Sequence, residues 1–219
     1  MKIALFGAGK MGACVAKCFD GDELVVYDVD KKRAADLAGK IGCKAAIRPR
    51  DLYSFPYLVL ALNKKESIQT AYSALDYVNR ADIIVLCTYV GEHDLPVELA
   101  EKKGCRFYPV KIIGHYLVQN VKWSLLCTKQ LPAEIKARLA RLGPITVDDG
   151  QKAGRINPLA AELAVRLGRR MASTLGAEGF SEEVIKSAVA SVAAGTLMEF
   201  PWDNPDDFMK SIINRGDEK

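Results

Sequence analysis

The feature that most constrains this chain is a glycine-rich turn close to its N-terminus. The apolar run Ile3–Phe6 is typical of a β-strand, and the stretch FGAGKMG follows it, with Gly7, Gly9 and Gly12 in the pattern G-x-G-x-x-G. A helical pattern begins near Lys10. Strand, glycine turn and helix in this order predict a βαβ unit that binds a pyrophosphate where the helix begins.

Each glycine has its own physical role in such a turn. Gly7 permits the tight turn, Gly9 lets the backbone approach the pyrophosphate, and Gly12 lets the helix pack closely on the strand. The helix is predicted to open with Lys10 and Met11, which complete the phosphate-binding segment. A carboxylate, Asp28, closes the second predicted strand roughly 20 residues after the first glycine, the spacing of a dinucleotide site.

The residues around Asp28 bear on which dinucleotide binds. The carboxylate of Asp28 can accept hydrogen bonds from both ribose hydroxyls, whereas a 2′-phosphate there would meet a like charge, so we expect NAD. Lys31, Lys32 and Arg33 follow at once and could hold a phosphate, which leaves NADP possible. The same three residues also fit a solvated first turn of a helix.

The first 150 residues alternate apolar runs with helical patterns. Helices are predicted to start near Lys10, Asp30, Lys65, Leu95 and Pro132. Strand candidates are Ile3–Phe6, Glu23–Asp28, Tyr57–Leu62, Asp82–Thr88, Cys105–Val110 and a run near Ser124–Thr128. Near-continuous apolar strands are typical of a parallel sheet covered on both faces. The prediction for residues 1–150 is a Rossmann-type, doubly wound α/β dinucleotide-binding domain.

The pattern changes to helix alone from about Asn157. Apolar residues recur at three- and four-residue spacing to about Leu175, and Gly176 and Gly179 end that long helix. Ser181 is a predicted N-cap for a second helix, Glu182–Met198, and residues 204–214 form a last short helix. Residues 151–219 therefore form a predicted small all-α domain. Because so few residues bury little apolar surface alone, they must pack either on the first domain or on a second copy of themselves, and we expect a homodimer.

Composition excludes several classes of protein. The net charge is only +4 and the basic residues are scattered, which argues against a nucleic-acid partner. No uncharged run is long enough to cross a membrane as a helix. Six cysteines occur without a CxxC pair, which predicts reduced, buried thiols and no metal site. With a first strand that begins at once and no signal peptide, the expected location is cytoplasmic.

With these residues in view, the chain resembles the pyrroline-5-carboxylate reductase family and related reductases. FGAGKMG is similar to that family's glycine loop, which tends to end in Met-Gly or Met-Ala. LALNKKES lies where the family has a strand ending in Val-Lys-Pro, and IIVLCTYVG is similar to the strand before its small-residue turn, with Gly91 as the matching glycine. LPAEIKARLARLGPITVDD is similar to its helix and following short strand. The resemblance implies NAD(P)-dependent hydride transfer to a small imine.

The resemblance also assigns residues to the cofactor site. It places Leu62 and Asn63 near the nicotinamide ribose and Thr88, at the next strand end, near the same cofactor. The substrate segments depart from the family: YPVKI at residues 108–112 replaces Met-Pro-Asn-Thr-Pro, and the C-terminal Pro-Gly-Gly-Thr-Thr loop is missing. The cofactor half of the resemblance therefore carries over, and the identity of the substrate does not.

Three residues are candidates for catalysis. Lys111 follows the strand at Cys105–Val110 and could bind a substrate carboxylate or donate a proton. His115 follows shortly after and could act as a general acid. Asn157 stands at the family's substrate turn and would also cap the long helix. Each residue also has a structural interpretation: Lys111 as a solvated lysine, His115 as a surface or structural histidine, and Asn157 as a helix cap alone.

The leading hypothesis is a reductase that transfers a hydride from NAD(P)H to a small imine or carbonyl compound. One alternative is a dinucleotide-binding sensor or interaction subunit without turnover, which the missing C-terminal loop favours. Another is a hydroxyacid dehydrogenase, but the helix after Asn157 carries no lysine in its first turns, where that chemistry would need one.

Overall fold

The computed structural model describes residues 1–86, 92–114, 123–148 and 153–198. Its Cα atoms divide into two compact units, Met1–Pro158 and Leu159–Lys219. The expected domain boundary after residue 150 lies outside the described residues. The first unit is built around one sheet, whose strands are β1 Lys2–Phe6, β2 Glu23–Tyr27, β3 Lys44–Ala45, β4 Tyr57–Leu60, β5 Asp82–Leu86, β6 Arg106–Ile113, β7 Ser124–Cys127 and β8 Ile145–Val147.

Helices connect most of these strands. The α-helices of the first unit are α1 Lys10–Ala16, α2 Lys31–Ile41, α3 Lys64–Leu75, α4 Val97–Lys102 and α5 Ala133–Leu139, and short 3₁₀ turns cover Lys17–Phe19, Pro49–Leu52 and Glu92–Asp94. All five begin within two residues of the predicted starts. Side chains fix two of these starts: Asp30 accepts hydrogen bonds from Lys32 N and Arg33 N, and Asn63 accepts one from Glu66 N.

The sheet order is β3-β2-β1-β4-β5-β6-β7-β8. Strands β1 to β6 are parallel, so the chain runs outward from β1 in one direction and then returns to β4 on its other side. This reversal places the ends of β1 and β4 side by side, with Phe6 paired to Leu60. Ligands of doubly wound sheets bind at such a switch point, outside the carboxyl ends of the strands. We call this side of the sheet the carboxyl edge.

Apolar side chains cover both faces of the sheet. Alternate residues of β1 belong to different clusters: Ile3 and Leu5 lie in one, and Ala4 and Phe6 in the other. All four are at most 2% exposed. A strand buried on both faces needs an uninterrupted apolar sequence, and this explains the near-continuous runs. The predicted Rossmann-type α/β fold is therefore confirmed.

One strand departs from the all-parallel expectation. β7 pairs with β6 in the antiparallel direction, with Lys111 opposite Leu126. The connection between them, from Gly114 to Trp123, is shorter than the crossover of roughly a dozen or more residues that a parallel neighbour requires. A connection of this length favours the antiparallel direction, and β6 extends to Ile113, past the predicted end at Val110.

The second unit is helical throughout its described part. Helix α6 spans Ala153–Ala177 and so begins before Asn157 and ends between Gly176 and Gly179. Ser181 caps α7 by accepting a hydrogen bond from Val184 N, as predicted. The predicted second helix is continuous from Glu182 to Met198, with a π-helical turn at its centre. The predicted last helix lies outside the described residues.

No described helix is long and apolar enough to span a membrane. Among the same residues, no group of His, Cys, Asp and Glu side chains is arranged to hold a metal ion.

Candidate active site

The glycine turn after β1 can be built only with glycine at two of its positions. Gly7 has a φ of +105°, and a Cβ there would lie 2.5 Å from the carbonyl oxygen of Ala61. A Cβ on Gly12 would lie 1.9 Å from the carbonyl oxygen of Gly7. Both distances are far inside van der Waals contact. The fold itself therefore requires these two glycines, because β1, its turn and α1 pack backbone against backbone.

Gly9 differs from its two neighbours in the motif. A Cβ built on Gly9 meets no heavy atom within 4 Å. Gly9 also occupies the N-cap position of α1, where no side chain accepts a hydrogen bond from the helix. The absence of a side chain here leaves open space in front of the backbone, which is where a ligand would approach.

The carboxylate of Asp28 is fixed beside this turn. It follows β2, and its Oδ2 accepts a hydrogen bond of 2.7 Å from Ala8 N. Its Oδ1 accepts one of 2.9 Å from Asp30 N. Two backbone N–H groups therefore hold the side chain in one position at the carboxyl edge, and each carboxylate oxygen retains a lone pair for a ligand hydroxyl.

A cleft of about 360 Å³ opens between the glycine turn, the end of β2 and helix α3, and we call it the first cleft. Its walls are formed by Phe6, Gly7, Gly9, Tyr27, Asp28, Val29, Arg33, Ala61, Leu62, Asn63, Glu66, Gln69 and Thr70. Val29 is 84% exposed, which is unusual for a large aliphatic side chain. An apolar surface beside a fixed carboxylate is suited to a flat ring attached to a sugar.

A second cleft of about 290 Å³ lies along the same edge. It shares with the first cleft Gly9, Ala61, Leu62 and Asn63. Its other lining residues are Lys10, Met11, Leu86, Lys111, Ile112 and Asn157. The two clefts therefore meet at the glycine turn and at the end of β4, and an extended ligand could occupy both.

Two of the three catalytic candidates line this second cleft. Lys111 is 3% exposed on β6, so it is not the solvated lysine that the sequence left open. Asn157 donates a hydrogen bond of 3.1 Å from its Nδ2 to the carbonyl oxygen of Ile112. Since α6 starts at Ala153, Asn157 lies inside the helix and does not cap it, which corrects that expectation. His115 lies outside the described residues.

Most of the cofactor-binding residues expected from the sequence also lie at the two clefts. Gly9, Lys10, Met11, Asp28, Leu62 and Asn63 line one or both clefts, and Gly7 and Gly12 shape the turn between them. Thr88 lies outside the described residues. The Oδ1 of Asn63 is engaged in capping α3, so its amide Nδ2 is the group that could face a ligand.

Sequence reasoning missed several residues of the first cleft. Val29 directly follows Asp28, and its position after a strand end could have indicated it. Glu66, Gln69 and Thr70 are spaced by three and four residues on α3, so they share the helix face next to the cleft. No local signal marks that face as a cleft wall, because only the reversal of strand order brings α3 and the end of β2 to the same cleft.

Comparison with known proteins gives likeness of structure without likeness of sequence. No protein-family model matches the chain, and no curated protein matches it. A pyrroline-5-carboxylate reductase from Coxiella burnetii superposes with a TM-score of 0.72 at 12% identity, over 99% of this chain and 90% of that one. A pyrroline-5-carboxylate reductase from Streptococcus pyogenes gives 0.67 at 18% identity, over 97% and 85%.

A third solved structure of similar fold is that of a reductive aminase. A reductive aminase from Aspergillus terreus, in complex with NADPH and ethyl levulinate, superposes with a TM-score of 0.67 at 19% identity, over 90% of this chain and 74% of that one. Identities this low demonstrate shared architecture only. The chain therefore has the fold of the pyrroline-5-carboxylate reductases and of the reductive aminase to which it is similar.

Proposed function

We propose that this chain is an NAD(P)-dependent reductase that transfers a hydride to a small imine or carbonyl compound. The observation that carries the proposal is the pair of joined clefts at the carboxyl edge, one beside Asp28 and the other beside Lys111 and Asn157. The first has the shape and chemistry for adenosine, and the second has room for nicotinamide and a small substrate. The neighbours in complex with NADPH support the same assignment.

The residues present fit a nicotinamide dinucleotide. Gly9 has open space where a pyrophosphate would need to approach the backbone, and Asp28 is held where ribose hydroxyls would donate to it. When bound, the reduced nicotinamide supplies the hydride. The chain's own contribution is to bind and orient: Val29 offers an apolar surface to adenine, and the Nδ2 of Asn63 can donate to the nicotinamide half.

We further propose that NAD is preferred over NADP. Both oxygens of Asp28 are fixed by backbone amides, so this negative charge cannot turn away from a 2′-phosphate. Of the three basic residues that could hold such a phosphate, Lys31 donates to the carbonyl oxygen of Asp28 and lies 3.9 Å from the centre of the Tyr27 ring. Arg33 lines the first cleft and is the residue through which NADPH would be accommodated.

The proposed assembly is a homodimer formed by the C-terminal helices. Within the described part of the second unit, large apolar side chains are widely exposed, and those exposed by half or more are Leu159, Leu163, Val165, Phe180, Val184, Val192 and Leu197. Apolar surface of this extent favours association. Light scattering at micromolar concentration should give the mass of two chains, and a clean monomer would contradict the dimer.

The cytoplasm is the proposed compartment, which the free cysteines favour.

The experiment that tests the function follows the absorbance of reduced nicotinamide, with NADH and NADPH in parallel and pyrroline-5-carboxylate as substrate. Oxidation of cofactor supports an imine reductase, and the ratio of the two rates reports what Asp28 selects. Binding of either cofactor without turnover of any imine or carbonyl compound would favour the non-catalytic dinucleotide-binding alternative. If the protein binds neither NADH nor NADPH, both the reductase proposal and the non-catalytic alternative are contradicted.

A further inference from the structure

Two asparagine side chains line the second cleft, and the fold uses opposite ends of their amide groups. The Oδ1 of Asn63 accepts a hydrogen bond of 2.9 Å from Glu66 N and so caps α3. The Nδ2 of Asn157 donates one of 3.1 Å to the carbonyl oxygen of Ile112 in β6. Each asparagine therefore has one end of its amide held by the backbone.

The other end of each amide is available to a ligand. Within the part of the chain that the structure describes, neither the Nδ2 of Asn63 nor the Oδ1 of Asn157 takes part in a hydrogen bond. The amide nitrogen is a donor and the amide oxygen is an acceptor. The second cleft is therefore lined by an available side-chain donor from Asn63 and an available side-chain acceptor from Asn157.

The sheet places these two groups on opposite sides of one strand end. β4 and β6 are the two neighbours of β5, whose last residue, Leu86, also lines the second cleft. Asn63 follows β4, and Asn157 is bonded to β6. Strands two places apart in a sheet lie about 10 Å from each other, so a planar group above the end of β5 could be contacted from both sides.

One donor and one acceptor in the same cleft match a primary carboxamide, because its carbonyl oxygen accepts a hydrogen bond and its NH2 group donates one. The nicotinamide ring of the proposed cofactor carries such a group. Met11, Leu86 and Ile112 supply apolar surface to the same cleft, which suits the ring itself.

We propose that Asn63 and Asn157 together clamp the carboxamide of the nicotinamide ring. The Nδ2 of Asn63 donates to its carbonyl oxygen, and the Oδ1 of Asn157 accepts from its NH2 group. This inference rests on the proposed reductase function and assigns to both asparagines the task of orienting the ring. Two hydrogen bonds to one planar group fix its rotation, and orientation of this kind is what a protein contributes to hydride transfer.

The test compares NADH with two reduced analogues by isothermal titration calorimetry. The 3-acetylpyridine analogue has a methyl group in place of NH2, and the thionicotinamide analogue has sulfur, a weaker acceptor, in place of the carbonyl oxygen. The wild type should bind NADH about threefold to tenfold more tightly than either analogue, because each analogue weakens one hydrogen bond. Equal affinities for NADH and the analogues would overturn the inference, whether or not any variant folds.

Each asparagine is then tested against the analogue that alters its partner group. Asn157→Leu should lose the preference for NADH over the acetylpyridine analogue and keep the preference over the thionicotinamide analogue, and Asn157→Ser is a milder second variant with the same expectation. Asn63→Asp retains the size of the side chain and the cap of α3, and it should do the reverse. A merely structural role would weaken the binding of all three dinucleotides alike, and unchanged preferences would overturn the inference.

Asn79→Leu is the matched control, because Asn79 is exposed and lines neither cleft. It should leave all three affinities unchanged, and loss of either preference in this variant would overturn the assignment to the clamp. NADH binding without any preference over the analogues would contradict the inference alone. Failure of the wild type to bind NADH would contradict the proposed function, and the inference with it.

Discussion

Polar side chains at the two edges of the sheet are arranged differently. At the amino edge, where the parallel strands begin, charged groups pair with one another. Asp82 at the start of β5 accepts two hydrogen bonds from Arg106 at the start of β6, at 2.7 and 2.9 Å. Tyr57 at the start of β4 donates to Glu134, and the pKa of Tyr57 is raised to about 12, chiefly by burial and then by that bond.

Asp22, which precedes β2, shows the amino-edge arrangement most completely. Its side chain is 2% exposed and accepts hydrogen bonds from Arg138 at 2.8 and 3.0 Å and from the N-terminal ammonium group at 2.8 Å. Asp28, which follows the same strand, is held at the carboxyl edge by backbone amides and lines the first cleft. One strand thus has a carboxylate at each end: Asp22 is paired within the fold, and Asp28 is the one that we propose binds a ligand.

This difference between the edges should allow effects on the free energy of unfolding to be separated from effects on dinucleotide affinity. Substitutions at the amino edge should change the free energy of unfolding and leave dinucleotide affinity intact. Substitutions at the carboxyl edge should do the reverse, except where the glycine turn touches the backbone of its neighbours.

The largest effect on the free energy of unfolding is expected in the glycine turn. Gly12→Ala places a Cβ 1.9 Å from the carbonyl oxygen of Gly7, so α1 must move away from β1. We expect a loss of about 3 kcal/mol or more in the free energy of unfolding, measured by urea denaturation. Gly39→Ala is the control, because its Cβ meets nothing within 4 Å inside α2 and should stabilise by about 0.5–1 kcal/mol. Equal urea midpoints for wild type and Gly12→Ala would refute the packing argument.

Gly9→Ala separates the ligand from the fold. Since its Cβ enters open space, the free energy of unfolding should stay within about 0.5 kcal/mol of the wild type. The same methyl group would occupy space next to the pyrophosphate, so NADH affinity should fall by about tenfold to a hundredfold, or roughly 1.4–2.8 kcal/mol. The two quantities are read by urea denaturation and by fluorescence titration. An unchanged affinity would show that the dinucleotide does not approach Gly9.

Arg138→Met tests the amino edge. It leaves the buried carboxylate of Asp22 without the guanidinium that holds its pKa below the ordinary value, and should cost about 2 kcal/mol at neutral pH. Because that pKa is depressed, the stabilisation is complete above the ordinary carboxyl pKa and is lost as the pH falls through the folded-state pKa. The difference between wild type and variant should therefore shrink in acid, as urea midpoints at several pH values would show.

NADH affinity should be the same in Arg138→Met and in the wild type, and a large decrease would break the separation between the edges. Arg48→Met is the matched control, because both partners of the Arg48–Asp51 ion pair are exposed and its loss should leave the urea midpoint nearly unchanged.

Asp28→Asn should give the smallest change in free energy. It removes the charge that opposes a 2′-phosphate, so the preference for NADH over NADPH should fall by about tenfold, or roughly 1.4 kcal/mol. Asp20→Asn is the control, because it removes the same charge from an exposed residue that lines neither cleft. The measurement is the ratio of the NADPH and NADH dissociation constants in the wild type and in each variant. A ratio unchanged in Asp28→Asn would mean that another residue selects the cofactor.

Sequence alone predicted the parts of this molecule that depend on local chemistry. The glycine turn, the carboxylate after β2 and the cap at Ser181 follow from backbone geometry, which short motifs encode. The strands followed from their continuous apolar runs. Their ends were misjudged by a few residues, as at β6, because strand pairing decides where a strand stops.

The parts that depend on distant pairing were not predictable. The antiparallel direction of β7 and the short strand β3 follow from the sheet, which gives a weakly apolar segment such as Lys44–Ala45 a partner in β2. The burial of Lys111 was also hidden, since a lysine after an apolar run is most often solvated. Only the extension of β6 toward Ile113 carries that side chain inside.

A crystal structure of the protein with NADH would test the proposed dinucleotide site most directly. We predict a pyrophosphate against the backbone at Gly9, an adenosine ribose beside Asp28, and a nicotinamide in the second cleft with Lys111. A dinucleotide bound elsewhere, or one whose adenosine lies beside Lys111, would contradict it.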